Sequence, residues 1–314
     1  MKTKKASTGI EITEFASGMK VATFRPVLAK FNPMKADEET LVKYGYPPRP
    51  VDNPQLMKKW MLMFGRRHRF VKPRFVRMSN MFHGPLLKKE IIERTLYSSN
   101  WSGAVIDAPS GKSFSSVVGE WTIPNPYAVA ADDSWYYSGN WVGIDGTYPS
   151  DNICHAGIGC DAKKSGSTTS RNVYAWWEWY PDAKVKISSF TVSPGDTVYC
   201  VICKLTSGDA SVYLANLNSG SLTSFYISPP SGTSLVGHCA EWIVEAPQVS
   251  GSTAKLADYG MVYFDTCVAD YGSGTISGTM KSSEGNNINM KSGSRIISQG
   301  SLVGDSAVKC FFTS

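Results

Sequence analysis

Glutamine and histidine are scarce in this chain, and cysteine is missing from its first 153 residues. The 314 residues hold only Gln55, Gln248 and Gln299, and only four histidines. A site that needs a glutamine therefore has three positions to draw on. All seven cysteines, Cys154 to Cys310, lie in the second part, so any disulfide framework is confined there. Their odd number leaves at least one free thiol or an intermolecular bond, and buried thiols are an equal alternative to one to three disulfides. No run of 18 apolar residues occurs, which excludes a membrane-spanning helix. The start, MKTKKASTGIEITEF, is basic but has no apolar stretch behind it, so it does not read as a secretory signal and leaves the compartment open.

What is present falls into two textures. Residues 1–95 carry 20 Lys and Arg against 8 Asp and Glu, a balance of +12, whereas residues 96–314 carry 12 against 18, a balance of −6. A basic front on an acidic body points first to intramolecular docking. The front holds a proline-rich stretch, YGYPPRPVDNP, then PQLMKKWMLMFGRRHRF. Leu56, Trp60, Met61 and Phe64 in that second piece fall at helical spacing. RRHRFVKPRFVR mixes cations with Phe70 and Phe75, but no nucleic-acid motif accompanies it, and it reads as a solvated face. From about Leu96 short strands alternate with turn signals. KVKISSFTV leads through Ser193-Pro194-Gly195-Asp196 into TVYCVICKL, and SVYLANL and LTSFYI flank the hairpin turn Asn218-Ser219-Gly220. AEWIVEAP, GMVYFDTCV and VKCFF follow. The expected fold is all-β, one large antiparallel sandwich over residues 96–314, preceded by a small basic region over 1–95.

Four segments bring polar residues into aromatic strands: SNWSGAV, WVGIDG, YAWWEWYP and AEWIVE. Residues two apart share a face of a strand. Trp176 and Glu178 thus face one way with Tyr174 and Tyr180, and Glu241 shares a face with Ile243 and Glu245. An acid held among Trp and Tyr gains a raised pKa by desolvation and becomes usable as a general base or acid.

Taken in order with GEWTIP and LADYGMVYF, these segments resemble the glutamic peptidase (eqolisin) family over roughly residues 98–265. The resemblance implies a sandwich of two large curved sheets of the legume-lectin and glucanase type. It also implies an endopeptidase acting on protein or peptide substrates at acidic pH, with no metal and no cofactor. The family's glutamate, a general base that activates water and later protonates the leaving nitrogen, maps to Glu241. Its partner glutamine, which holds the water and donates to the oxyanion, maps to His155, nine residues after Gly146. The spacing is kept and the residue is changed. Gly103, Trp141, Asp145, Trp176 and Glu178 are implied to line the substrate cleft. A second departure is Tyr174, where fungal members often have Asp.

Neutral imidazole offers one donor and one acceptor, near to what an amide offers, and below pH about 6.5 it becomes a cation. A zinc site on Cys239 and His155 matches no standard spacing. Cys200 and Cys203 point to opposite faces of one strand and read as structural. The front resembles the family's basic pro-segment in placement and charge. Residues 1–95 are therefore expected to cover the Glu241 cleft as an intramolecular inhibitor until acid protonates the body's carboxylates below about pH 4, or until cleavage near Glu93–Ser98. Two other readings remain: a non-catalytic relative whose cleft binds peptide or glycan, and a basic binding module attached to a sandwich. Neither nucleic acid nor membrane is expected as a partner.

Overall fold

The alternation read in the sequence becomes a continuous antiparallel ladder in the computed structural model, which describes residues 2–5, 10–24, 31–51, 53–65, 68–86, 90–150, 152–271 and 285–313. The first sheet runs Val185–Ile187, Thr168–Tyr180, Ile153–Ser165, Gly139–Asp145, Cys239–Glu245, Trp101–Asp107 and Gly285–Ser292. The second runs Ala307–Phe312, Met261–Asp270, Ser116–Thr122, Thr197–Lys204, Ala210–Asn216 and Ser221–Ile227. Arg295–Val303 joins the two by pairing with Gly285–Ser292 and Ala307–Phe312. The hairpin expected at Asn218-Ser219-Gly220 is formed, with Gly220 in the left-handed region at φ +64°.

The sheets stack face to face. Val142, Ile144, Ala156, Trp177 and Trp242 of the first meet Val117, Trp121, Ile202, Val212 and Leu214 of the second in one core. Each such side chain removed from water contributes on the order of 1.5–3 kcal/mol, which fixes the strand register. The seven cysteines are all buried free thiols, so the disulfide alternative is not taken. Cys200 faces the inter-sheet core and Cys203 the outer cluster, the opposed orientation that strand alternation requires.

The basic front is stitched into the sandwich at both edges. Lys20–Thr23 and Arg69–Phe70 both pair with Ser221–Ile227 at the edge of the second sheet. Phe75–Arg77 adds a strand beside Val185–Ile187 at the edge of the first. Between them, helix Pro54–Phe64 starts at an Asn53 cap whose side chain accepts from the Leu56 N–H at 3.0 Å. Leu56, Trp60 and Phe64 pack on Val118, Tyr199, Val201 and Tyr213, on the outer face of the second sheet. Met61, expected on this apolar face, is instead 44% exposed, and Met63 takes the buried place. The front thus passes along the outside of one sheet, around an edge, and onto the other sheet. Arg66 and Arg67 of its basic-aromatic stretch lie outside the described residues. The strand Thr95–Ser98, inside the stretch expected to be cleaved, pairs with both Glu90–Ile92 and Gly285–Ser292.

Candidate active site

Strand register alone brings Glu241 and His155 together. Gly143 pairs with His155 on one side and with Glu241 on the other. The two side chains therefore stand on one face, two strand spacings or roughly 10 Å apart at the backbone. Both flank a residue that has no side chain. A methyl group on Gly143 would lie 3.0 Å from His155 Cβ, 3.0 Å from Trp141 Cζ3 and 3.2 Å from Glu241 Oε2, so glycine is what lets the Trp141 edge pack between the two side chains' strands. The row continues to Glu178, opposite His155. A neighbouring row on the same face holds Ile243, Trp141, Gly157 and Trp176, and a third holds Glu245, Gly139, Gly159 and Tyr174.

Glu241 and His155 are both fully buried. Glu241 Oε1 accepts from the Cys239 thiol at 2.7 Å. Its Oε2 and both ring nitrogens of His155 have no hydrogen-bond partner among the described residues. Unmet buried polar atoms are costly, so three of them on two residues that flank Gly143 mark a place suited to a polar guest. Trp141 and Trp176 stand edge-on to the imidazole, with centroids at 4.7 and 5.1 Å. Burial raises the Glu241 pKa well above the usual carboxylate range; the Cys239 hydrogen bond opposes this, and Asp145 and Asp107 add to it. Burial also pushes His155 down to about 3, assisted by the charge of Lys184. The carbonyls of Ile153, His83 and Glu178 near the ring oppose the shift without reaching hydrogen-bond geometry. The expected change to a cation near pH 6.5 is thus overturned in the covered site, where the ring is neutral.

The site is covered by residues 78–86 of the front. Met78 N–H donates to the Lys184 carbonyl at 2.8 Å, Met81–Phe82 pairs with Gln248–Val249, and Leu86 N–H donates to the Gly146 carbonyl at 3.0 Å. His83 enters the cleft between these anchors. Its backbone N–H donates to Glu178 Oε2 at 2.9 Å. Its Nδ1 lies 2.9 Å from Glu245 Oε2, and its Nε2 lies 3.1 Å from Lys184 Nζ. A neutral ring protonated at Nδ1 satisfies both contacts, since Glu245 can only accept when ionised and Lys184 can only donate when charged. Burial, then the charges of Lys184 and His155, depress the His83 pKa well below its ordinary value. Burial also pushes Lys184 down to about 8, opposed by Asp161, Glu178 and Glu245, and raises Glu178 and Glu245 well above the carboxylate range. Gly139 makes room for the ring, because a methyl there would lie 2.4 Å from His83 Cε1.

Residues 99–312 match the family model described as the Peptidase A4 family. The chain belongs to the Peptidase A4 family. It is 31% identical over 221 residues to aspergillopepsin-2 of Aspergillus niger, covering 64% of this chain and 76% of that protein. It is 31% identical over 150 residues to scytalidopepsin B of Scytalidium lignicola, covering 47% of this chain and 51% of that protein. Among solved structures, scytalido-glutamic peptidase with a transition state analog inhibitor superposes with a TM-score of 0.57 at 24% identity, covering 68% of this chain and 98% of that one. Aspergilloglutamic peptidase from Aspergillus niger gives a TM-score of 0.50 at 28% identity, covering 57% and 99%. The glutamic-peptidase resemblance and the sandwich fold read from the sequence are both borne out, and the chain is a glutamic-type peptidase by family.

Within this Peptidase A4 chain, Trp141, Trp176 and Glu178 lie on the cleft face with Glu241 and His155. Two residues expected to line the cleft do other work. Asp145 ends its strand at φ +71°, and its carboxylate accepts from the N–H groups of Val236, Gly237 and His238 and from His238 Nδ1, all at 2.7–2.9 Å. It anchors the loop that leads into the Glu241 strand. Gly103 is needed for close backbone approach, since a methyl on it would lie 2.1 Å from the Trp242 carbonyl oxygen. Asp145, His238 and Cys239 bring possible ligand atoms within 4.8 Å of one another. The Asp145 oxygens already accept four N–H groups, so the trio is read as a hydrogen-bonded chain. Tyr174, the second departure from the family pattern, accepts from Lys184 Nζ at 2.8 Å.

Three residues of the site were not singled out from sequence. Glu245 was visible as a face-mate of Glu241 in AEWIVE, but nothing distinguished it from a surface acid. Lys184 precedes an alternating strand and reads as solvated. His83 sits in an extended basic stretch with no motif around it.

Proposed function

We propose that the chain cleaves protein or peptide substrates with Glu241 as general base and His155 as the group facing it. The carrying observation is that Glu241 Oε2 and both His155 nitrogens are buried and unpartnered on residues that flank Gly143 on one sheet face. In the proposed reaction an ionised Glu241 takes a proton from water, and the water oxygen attacks the peptide carbonyl carbon. The neutral imidazole donates its one N–H to the oxyanion that forms, in place of an amide N–H. Glu241 then returns the proton to the leaving nitrogen as the C–N bond breaks. The raised pKa of Glu241 suits the second half of this cycle.

The front serves in this reading as an intramolecular inhibitor. His83 occupies the cleft beside His155, their ring centroids 6.0 Å apart, and so shuts substrate out. Arg77–Asp182 at 2.7 Å and Lys59–Glu120 at 3.0 Å tie the basic front to the acidic body. Acid, or cleavage followed by dissociation, then releases residues 1–95. The Glu93-Arg94 turn between two paired strands has positive φ at both residues and is exposed, which makes it the accessible point for a cut.

The test is hydrolysis of an unstructured protein by the acid-treated full chain. Glu241→Gln should abolish cleavage and His155→Gln should preserve or increase it. Persistent activity in purified Glu241→Gln rules out Glu241 as the base. A folded wild type that binds such a substrate but never cleaves it turns the reading to a non-catalytic relative.

A further inference from the structure

Glu241 does not stand alone at its end of the cleft. Its Oε1 is 2.7 Å from Cys239 Sγ, and that sulfur is in turn 3.3 Å from His238 Nε2. His238 Nδ1 lies 2.9 Å from Asp145 Oδ1, and Thr147 Oγ1 lies 3.1 Å from the sulfur and 3.2 Å from His238 Nε2. These contacts make one chain, Asp145 to His238 to Cys239 to Glu241. When His238 is neutral, the Asp145 carboxylate, which accepts only, fixes the Nδ1–H tautomer and leaves Nε2 as an acceptor. The single thiol proton therefore has three acceptor atoms within reach, Glu241 Oε1, Thr147 Oγ1 and the neutral His238 Nε2.

We propose that Cys239 is a positioning residue for Glu241, donating to the carboxylate in one half of the reaction and turning its proton to His238 in the other. This rests on the reading of Glu241 as general base. While Glu241 is ionised, the S–H donates to Oε1. That leaves Oε2, unpartnered on the Gly143 side, as the basic oxygen. Once the carboxyl has taken the water proton, an O–H on Oε1 can donate to sulfur, because the thiol proton rotates to His238 Nε2. No bond to sulfur forms, and no proton leaves the set. The carboxyl keeps a hydrogen bond to the same atom in both protonation states, so it does not swing between the two steps. A thiol or hydroxyl can do this; an alkyl group cannot.

Alternation supplies the geometry, since Cys239 and Glu241 share a face of one strand. The charged and titratable groups around the carboxyl are Asp107 on the strand Trp101–Asp107, Asp145 on Gly139–Asp145, His155 on Ile153–Ser165, and His238 and Cys239 preceding it. Among them the thiol is the group that pulls the Glu241 pKa down, whereas Asp145 and Asp107 raise it.

The experiment compares the acid-treated full chain with Cys239→Ala, Cys239→Ser and His238→Gln, in kcat/KM against pH and in a 13C titration of labelled glutamate carboxyls of the intact chain. Subtracting the Glu241→Gln spectrum identifies the Glu241 signal. Cys239→Ala should lower kcat/KM by about 10- to 100-fold, the scale of a slightly misplaced group. It should also move the Glu241 titration and the acid limb of the profile to higher pH, because a donor to the ionised form is lost. Cys239→Ser should recover most of the rate and bring the midpoint back. His238→Gln should lower the rate while moving the midpoint less than Cys239→Ala does. A Glu241 midpoint and acid limb unmoved in Cys239→Ala, with Glu241→Gln inactive, overturns the role of Cys239 and leaves the base in place. An active Glu241→Gln overturns the base itself.

Discussion

His83 lies flat on Trp176, with ring centroids 4.0 Å apart and planes inclined by 5°. Its backbone N–H and Nδ1 meet two different carboxylates, Glu178 and Glu245. A residue of the front thus uses the cleft much as a bound side chain would, with stacking for area and two polar contacts for orientation. His83→Ala removes the stack and the Glu245 contact and leaves Lys184 without its acceptor on Nε2. The expected outcome is faster cleavage of an added peptide at pH 5–6 than wild type shows, with the fold retained by circular dichroism. Equal rates in the two proteins at every pH would show that His83 does not gate the cleft.

The pH dependence of uncovering follows from opposed signs. His83 is depressed in the covered state, so below its ordinary value of about 6.5 the uncovered state binds a proton that the covered state cannot, and acid weakens the cover. Glu178 and Glu245 are raised, so they hold protons in the covered state and favour it as pH falls toward their ordinary value of about 4.3. Below that they are protonated in both states and contribute no further change. His155, pushed down to about 3, still favours uncovering there. Release should therefore be steepest between about pH 4 and 3. The cleft imidazoles drive it, and the cleft carboxylates Glu178 and Glu245 oppose it. Protease sensitivity of the front measured across pH 3–7 checks this, and in His83→Gln the step should shrink.

Gly143→Ala puts a methyl group against His155 Cβ, Trp141 Cζ3 and Glu241 Oε2. These side chains must shift by a few tenths of an ångström, which displaces the Glu241 carboxyl from its position. A drop of at least about 100-fold in kcat is expected, with thermal stability changed by less than about 3 kcal/mol. Unchanged kcat in this variant would mean that the reaction does not take place over Gly143.

Trp60 anchors the front on the far side of the sandwich, where it is 1% exposed and its Nε1 donates to the Pro47 carbonyl at 3.1 Å. Trp60→Ala should cost about 3–5 kcal/mol of docking and stability. Limited proteolysis should then cut the front at neutral pH while sparing residues 99–312. Resistance equal to wild type would show that the helix does not hold the cover.

Much of this was legible in the chain. Alternation in AEWIVE and YAWWEWYP fixed which acids share a face, and the family's nine-residue count from Gly146 singled out His155, which the register sets beside Gly143 on the Glu241 face. The part that stayed hidden depends on contacts between segments distant in sequence. His83 meets Glu245 across 162 residues and Lys184 across 101. Neither alternation nor composition marks a histidine that will be buried by a strap. Met61 failed for a similar reason: helical spacing identified the apolar stripe, but the sheet beneath Pro54–Phe64 selects Met63. Asp145 was read as lining the cleft because WVGIDG matches the family's motif. The left-handed turn at that residue instead points its carboxylate at four N–H donors.

The edge pairings of the front bear on what a nick at Glu93-Arg94 accomplishes. Lys20–Thr23 and Phe75–Arg77 remain paired to strands of the body after the backbone is cut. Severing the chain therefore leaves a two-chain complex and removes only the tether. While tethered, the blocking strap faces its cleft at a millimolar effective concentration; once cut, its occupancy depends on how dilute the enzyme is. Concentrated stocks of nicked protein would stay silent and would awaken on dilution.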